Sequence, residues 1–309
     1  MTSESPQNRL VVVIGATASG KTAAAAMISA RFAGEVVNAD SRLFYRGMEI
    51  GTAHPSPEIL ASAPHHLIGF LEPGDSFSLA QFLPMATGLV TRIHSHRHLP
   101  IIAGGTGQYV WGLIEGWQVP AVEPDTRLRA ELERDLADQC VGALFERLQT
   151  LDASAAARTD RKNPRRVIRA LERVISGYDA DSRQSRDPGY DTLIIGLKVE
   201  RSELHRRIIE RVDQMLADGW VDEVKRLLDS GTDFNAPALS AIGYREIASV
   251  IAGEMTLEQA RTLTIQATNR LVRHQNNWFK LSDPRITWID VTDGDLSRVA
   301  DVAGHWLAG

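Results

Sequence analysis

Leu10-Val11-Val12-Val13-Ile14-Gly15-Ala16-Thr17-Ala18-Ser19-Gly20-Lys21-Thr22 is the stretch that decides the fold. Its first five residues are an unbroken apolar run rich in β-branched side chains, which suits a strand buried on both faces of a parallel sheet. The alanine-rich segment from Ala23 to Phe32 reads as a helix. Between them, Gly15 to Thr22 carries the G-x-x-x-x-G-K-[ST] spacing in the setting that gives it meaning, strand then loop then helix. Glycine at both ends of such a loop lets successive N–H groups converge on phosphate oxygens, with the helix dipole aimed at the same spot. Lys21 is placed to reach the outer phosphate and the Thr22 hydroxyl to ligate Mg²⁺. A chance motif in an alanine-rich loop is the alternative, and it leaves the strand and helix unexplained. The reading predicts a site for a molecule carrying a di- or triphosphate.

The bulk numbers are those of an ordinary globular chain. Its 309 residues are 43% hydrophobic and 24% charged, room for one large domain or two modest ones. A net charge of −5 gives no global signal for nucleic acid. The single cysteine, Cys140, falls in a helical pattern and reads as a small side chain in a reducing compartment. No apolar run reaches the length of a membrane span, and Met1 to Arg9 is polar without a signal-peptide core. The expectation is a cytoplasmic protein with a frayed N-terminus.

Downstream of the loop, Glu35 to Ala39 predicts a second strand that delivers Asp40-Ser41-Arg42 at its carboxyl end, where open α/β sheets place their ligands. Asp40 is therefore read as a catalytic or metal-positioning group; a helix N-cap is the plainer alternative. Pro64 to Ile68 is a short strand candidate, and Phe77 to His94 a helix capped by Ser76 or Ser78. His94, His96 and His98 read as a solvated helix end, because only two of them share a face; His65 and His66 read as structural. Leu99 to Ala103 is another buried strand. It runs into Gly104-Gly105-Thr106-Gly107 and a helix starting near Tyr109, repeating the logic of the first loop.

At Val119 to Asp125 the alternation of strand and helix stops, and Thr126 to Gly177 reads as helical throughout. Arg158 to Arg173 holds seven Lys/Arg against two acids, net +5. Asn163-Pro164 predicts a helix start that puts Arg165, Arg166 and Arg169 on its first turns. Such a concentration inside an acidic chain points to a phosphate-backbone surface. Gly177 to Asp191 is a polar loop. Thr192 to Leu197 then returns to a buried strand, so the helical block is an insertion in a sheet domain. The predicted divisions are residues 1–124, 125–191 and 192–309. A long amphipathic helix is expected from Arg201 to Ser230, then a loop over Pro237 to Arg245 entering a short helix. A final long helix follows from Leu257 to Leu281, capped by Thr256. From Arg261 to Arg285 there are five Lys/Arg and one acid, net +4, with Trp278 and Phe279 beside them; basic and aromatic residues together suit looped RNA.

Taken together, these segments resemble the tRNA dimethylallyltransferase (tRNA isopentenyltransferase) family. The matching pieces run in order along nearly the whole chain. They are Gly15 to Thr22, Asn38 to Arg42 with Tyr45 to Ala53, Pro64 to Leu67, Gly104 to Thr106, Asn163 to Arg166 with Arg169 to Glu172, Gly243 to Arg245, and Arg273 to Lys280. The chain departs from the family pattern at Ala16, Leu43, His274 and Asn277, where Pro, Gln, Arg and Thr are usual. The resemblance implies an α/β fold, a P-loop NTPase-like parallel sheet flanked by helices, with an α-helical insertion domain. It implies transfer of the dimethylallyl group from dimethylallyl diphosphate to N6 of adenosine 37, in tRNAs reading codons that begin with U. On that resemblance the residues from Gly15 through Ala16, Thr17, Ala18, Ser19, Gly20, Lys21 and Thr22 hold the diphosphate, with Mg²⁺ on Thr22. Asp40 accepts the amine proton, Arg211 neutralises the leaving diphosphate, and Thr17 and Thr106 line the chamber. The anticodon stem-loop is gripped by Asp40, Ser41, Arg42, Leu43, Thr106, Arg129, Arg165, Arg166, Arg169, Arg273, Trp278 and Lys280. A monomer is expected.

Three other readings share some of these features. A small-molecule kinase shares the loop but leaves the separated basic helices without a purpose. An enzyme that prenylates free AMP would need neither basic segment. A non-catalytic RNA-binding module leaves Lys21 and Asp40 without work.

Overall fold

The computed structural model describes residues 8–119, 125–177 and 185–309. The expectations for residues 1–7, for the change of composition across 120–124 and for the loop at 178–184 lie outside the described residues. Two compact units emerge: one runs up to Gly116 and resumes at Asp187, and the other is Trp117–Arg186.

In the first unit, six parallel strands make one sheet: β1 (Arg9–Gly15), β2 (Gly34–Asn38), β3 (His65–His66), β4 (Leu99–Ala103), β5 (Asp191–Lys198) and β6 (Ile286–Asp290). Their spatial order is β3-β2-β4-β1-β5-β6, with Val12 opposite Ile102 on one side and Ile194 on the other. Leu10 to Ile14 have no exposed surface, which accounts for the unbroken apolar run; such burial contributes roughly 1.5–3 kcal/mol per side chain. Helix α1 (Lys21–Phe32) follows β1 and packs Ala24, Ala25 and Ile28 on Val11, Val13 and Ile101. α2 (Pro57–Ser62) is a short surface helix, and α3 (Leu79–Ser95) starts from a capping box between Ser78 and Gln81. α4 (Gly107–Ile114) follows β4. Phe82 of α3 and Tyr109 of α4 stack at 4.3 Å and join Phe44 in a buried aromatic cluster.

The second unit is helical: α5 (Thr126–Asp138), α6 (Val141–Leu151), α7 (Ala153–Ala157) and α8 (Pro164–Ile175) pack Leu132, Leu144, Leu148, Val167 and Leu171 into a core of their own. Asn163 caps α8 with Pro164 at its first position, as the sequence predicts. Cys140 is not inside a helix. It is the exposed residue before α6, in extended backbone.

After β5 the first unit continues through α9 (Arg201–Ala217), α10 (Trp220–Asp229), a single 3₁₀ turn at Ala238–Ser240, α11 (Tyr244–Ile251), α12 (Leu257–Trp278) and, beyond β6, α13 (Ser297–Ala308). The single helix expected over residues 201–230 is therefore two. Gly219 takes φ 94°, a left-handed conformation that stops α9 and turns the chain. The apolar stripe divides just before that break: Leu204, Ile208 and Val212 pack on Ile265 and Val272 of α12, whereas Met215, Trp220 and Val224 join Met48 and Tyr244 in another cluster. α12 ends three residues earlier than expected, because buried Phe279 draws the chain inward against Trp111. Nor is it the final element. β6 extends the sheet beyond β5, and α13 places Val299 and Ala303 beside α1.

The strand candidate at residues 64–68 shrinks to the two residues of β3, since Leu67 turns to φ 59°. His66 and His98 both reach the buried carboxylate of Glu35, at 2.6 and 2.7 Å, and His94 Nε2 lies 2.8 Å from the Arg9 carbonyl oxygen. Of the helix-end histidines expected to be solvated, His94 and His98 thus make structural contacts, and His96 is exposed.

Candidate active site

Strand order fixes where the site lies. The chain leaves β1 toward β2 on one side and leaves the neighbouring β4 toward β5 on the other. Their carboxyl ends therefore open a crevice at the switch point of the sheet, the place where open α/β folds bind ligands. The Gly15 to Thr22 loop leaves β1 there, and Gly104-Gly105-Thr106 leaves β4. A cavity of about 480 Å³ occupies this edge, with Thr17, Gly20, Lys21, Thr22, Asp40 and Arg211 among the residues lining it.

The loop is a strained cradle. Ala18 holds a positive φ of 66° and Gly20 one of 93° as the cap of α1, whose first turn opens on the cavity with its N–H groups unpaired by the helix. Lys21 Nζ donates to the Ala16 carbonyl oxygen at 2.8 Å. Burial pushes its ammonium down to about 8; Asp40 opposes that shift and Arg211 adds to it. Burial likewise lowers Arg211, with Asp40 again opposing, while its Nη2 donates to the Thr52 carbonyl oxygen at 3.3 Å. Lys21, Arg211 and Asp40 thus act on one another within the cavity. Among the described residues neither Lys21 nor Arg211 is in an ion pair, an arrangement an anionic ligand would suit.

Asp40 is fixed by its own loop. Asn38 Oδ1 accepts its backbone N–H at 2.9 Å, and Asp40 Oδ1 accepts from the Arg42 N–H at 3.0 Å. Arg42 Nη1 reaches Ser240 Oγ at 2.9 Å, and Leu43 lines the cavity. Thr106 lies behind this turn rather than on the cavity wall. Its hydroxyl accepts from the Ser41 N–H at 3.1 Å, and its own N–H donates to the Ala39 carbonyl oxygen. Gly15, Ala16 and Ser19 are also off that wall: Ser19 is buried under the loop, while Gly15 and Ala16 face a second cavity with Lys280.

Several site residues carried no sequence signal. Arg207, Glu210 and His54 line the same cavity from α9 and from the loop after Thr52. Arg207 is committed to Glu203 and to the Thr292 carbonyl oxygen, so it frames the cavity more than it charges it. Gln275 of α12 is buried against both glycine loops, accepting from the Thr17 N–H at 2.8 Å and donating to the Gly105 carbonyl oxygen at 3.3 Å. Its place in α12 marked it only as one position of a motif; the two partners lie far away in sequence.

The expected RNA contacts outside the Asp40 turn and Thr106 fall into two groups. Arg273, Trp278 and Lys280 are exposed at the end of α12. Trp278 packs so tightly on Gly107 that a Cβ there would sit 2.3 Å from its Cγ. In the helical unit, Arg165 and Arg166 are exposed on the first turn of α8, whereas Arg129 and Arg169 are drawn to the buried carboxylate of Glu172, at 2.8 and 3.1 Å. Basic character is thus freest at residues 165 and 166.

The donor set suits a hard cation such as Mg²⁺ in a limited way. Thr22 and Asp40 offer hydroxyl and carboxylate oxygens on the cavity wall, and no cluster of three His, Cys, Asp or Glu able to hold a metal occurs among the described residues. That matches Mg²⁺ held by one or two protein oxygens together with substrate phosphates, not by a protein cage.

Known proteins with similar chains converge. The sequence pattern of the IPP transferase family matches residues 43–282. The tRNA dimethylallyltransferase of Thermomicrobium roseum is 44% identical over 285 residues, covering 92% of this chain and 86% of that one. That of Geobacter sulfurreducens is 41% identical and covers 92% of each. The crystal structure of a tRNA isopentenylpyrophosphate transferase from Bacillus halodurans superposes with a TM-score of 0.73 at 38% identity, over 97% of both chains. A eukaryotic dimethylallyltransferase acting on tRNA shares the fold, with a TM-score of 0.81 at 21% identity over 97% of this chain and 80% of that one.

Proposed function

The chain belongs to the IPP transferase family, and from that premise we propose that it moves a dimethylallyl group from dimethylallyl diphosphate to N6 of adenosine 37, beside the anticodon of tRNAs reading codons that begin with U. One observation carries the assignment of roles: the unpaired cations Lys21 and Arg211 and the carboxylate of Asp40 line a single cavity at the mouth of the glycine loop.

The donor's diphosphate lies in the Gly15 to Thr22 cradle, against the first N–H groups of α1, with Lys21 and Arg211 neutralising it. Leu43, Ile59 and Ile68 on the same cavity wall suit the branched apolar chain. The adenine lies within a loop of RNA, so it leaves its stack to reach the cavity. Its N6 lone pair forms a bond to the allylic carbon bearing the diphosphate. The carbon–oxygen bond breaks, its electron pair leaves with the diphosphate, and the N6 proton passes to Asp40. Mg²⁺, held by Thr22 and by the substrate's own phosphates, would stabilise the charge growing on the leaving group. Thr17 stands in the cavity wall beside the reacting centre, and Thr106 acts at one remove by holding Ser41 and hence the Asp40 turn. Arg165 and Arg166 in the helical unit and, separately, Arg273, Trp278 and Lys280 in the sheet unit supply exposed basic and aromatic residues for the anticodon stem-loop, with Arg42 in the Asp40 turn.

Mass spectrometry of nucleosides after the protein is incubated with unmodified tRNA and dimethylallyl diphosphate tests the reading. It requires one dimethylallyl group on the adenosine beside the anticodon. Transfer into free AMP instead, or cleavage of a nucleotide's terminal phosphate with no transfer, would overturn it.

A further inference from the structure

Resting on that reading, we propose that Gln275 is a positioning residue: it clamps the two glycine loops together and sets where Thr17 and the diphosphate stand relative to Asp40. It does so from the helix that also carries Arg273 and Trp278.

The argument begins with what lies at the ends of adjacent strands. β1 and β4 are paired along Val11 to Val13, but beyond the strands their chains part into the two loops. Gln275 fills the gap. It is 4% exposed, and its amide is used at both atoms, Oε1 on the Thr17 N–H at 2.8 Å and Nε2 on the Gly105 carbonyl oxygen at 3.3 Å. Flipping the amide would set two donors and two acceptors face to face, so one orientation satisfies both loops. A primary amide does this without carrying charge at any working pH. Gly105 leaves the necessary room: a Cβ there would lie 2.2 Å from Gln275 Nε2 and 3.8 Å from Lys21 Nζ.

The Thr17 N–H belongs to the loop whose N–H groups face phosphate in a cradle of this kind. With Gln275 accepting from it, that N–H is withdrawn from the ligand and Thr17 is held with its residue on the cavity wall. One turn further along α12, Trp278 packs on Gly107 and its carbonyl oxygen accepts from Trp111 Nε1 at 3.1 Å. The C-terminal part of α12 is thereby tied to both loops, so the same helix touches the donor cradle and presents the aromatic and basic surface proposed for RNA.

Two variants test this. Gln275→Met keeps length and bulk and removes both hydrogen bonds. Per folded enzyme it is expected to slow single-turnover transfer by about 10–100-fold, the scale set by misplacing reacting groups by an ångström, while the Kd for the anticodon stem-loop stays within about twofold. Gln275→Glu gives a pH signature. Its ionised carboxylate faces the Gly105 carbonyl oxygen and cannot donate to it, but when protonated it reproduces the donor and acceptor of the amide. The rate of this variant divided by that of the wild type is therefore expected to rise as pH falls toward the ordinary glutamate value of about 4.3. A residue that only fills space predicts wild-type transfer by Gln275→Met, which keeps the volume. If Gln275→Met does not fold, the Gln275→Glu series decides alone. The proposal is overturned if Gln275→Met transfers at the wild-type rate, if its defect lies wholly in stem-loop affinity, or if the Gln275→Glu ratio does not change with pH. A wild-type enzyme that transfers nothing to the stem-loop is a different result, read before any variant is made; it refutes the assigned reaction and this proposal with it.

Discussion

Replacing Asp40 by Asn tests the proposed chemistry most directly, because the structure says what should stay the same. Asp40 Oδ1 accepts the Arg42 N–H at 3.0 Å, and an amide oxygen can accept it equally. The backbone N–H of Asp40 is held by Asn38, not by its own side chain. The turn should therefore survive Asp40→Asn, and the loss should be confined to a base and a negative charge. Positioned general bases contribute about 10²–10⁴-fold, so the transfer rate is expected to fall by that factor, equivalent to about 2.7–5.5 kcal/mol in the barrier. The charge has a separate, measurable effect. Burial holds the Lys21 ammonium near 8, and Asp40 is the group that opposes the shift. An anionic ligand prefers the protonated lysine. In the wild type, the lysine's contribution to pyrophosphate affinity, after correction for the ligand's own titration, should be constant well below about pH 8 and fall above it as Lys21 loses its proton. In Asp40→Asn, with Arg211 still pressing the lysine down, that weakening should begin at lower pH. Single-turnover transfer of radiolabel into an anticodon stem-loop measures the rate, and pyrophosphate titration calorimetry across a pH series measures the limb. A variant within about threefold of the wild-type rate, or an alkaline limb that does not move, would refute the assignment of Asp40 as base and charge partner.

The remaining predictions concern the scaffold and the RNA surface. Arg165→Ala combined with Arg166→Ala should weaken tRNA binding and lower its salt slope by about 2 in filter-binding assays, since both guanidinium groups are exposed; an unchanged slope excludes them as phosphate contacts. Gly51→Ala would set a Cβ 2.0 Å from Nε1 of the buried Trp220, so urea unfolding should show a loss of about 1–3 kcal/mol or more, and a loss within error would mean the loop relaxes freely. The hydrogen bonds from His66 and His98 outweigh burial and hold the Glu35 carboxyl below its ordinary 4.5. A depressed carboxyl adds stability that is present above its unfolded value and lost as pH falls through the folded one. Unfolding free energies of the wild type should therefore drop more steeply below about pH 4.5 than those of Glu35→Gln; parallel acid limbs would contradict this.

The sequence by itself determined the parts whose physics is local. The apolar run before Gly15 specified a strand buried on both faces, and glycine spacing with Lys21 and Thr22 specified an anion cradle at a helix start. Asn163-Pro164 and Thr256 each announced a helix beginning, and of the two caps offered for α3, Ser76 and Ser78, the second is used, because capping involves residues within a turn of one another. The reach of a charge across the molecule is not local. Which basic residues stay free was decided by tertiary packing, since Glu172 engages Arg129 and Arg169 but leaves Arg165 and Arg166 exposed. The break at Gly219 was hidden by an apolar period that runs on through two helices serving different cores. Thr106 was legible as a loop hydroxyl, but the fold set it behind the Asp40 turn. Gln275 had no readable role, because its two partners lie 258 and 170 residues away and meet it only once β1, β4 and α12 have been assembled. Periodicity, caps and turns are written in neighbouring residues; the cavity, its shifted lysine and its clamp exist only where distant strands end side by side.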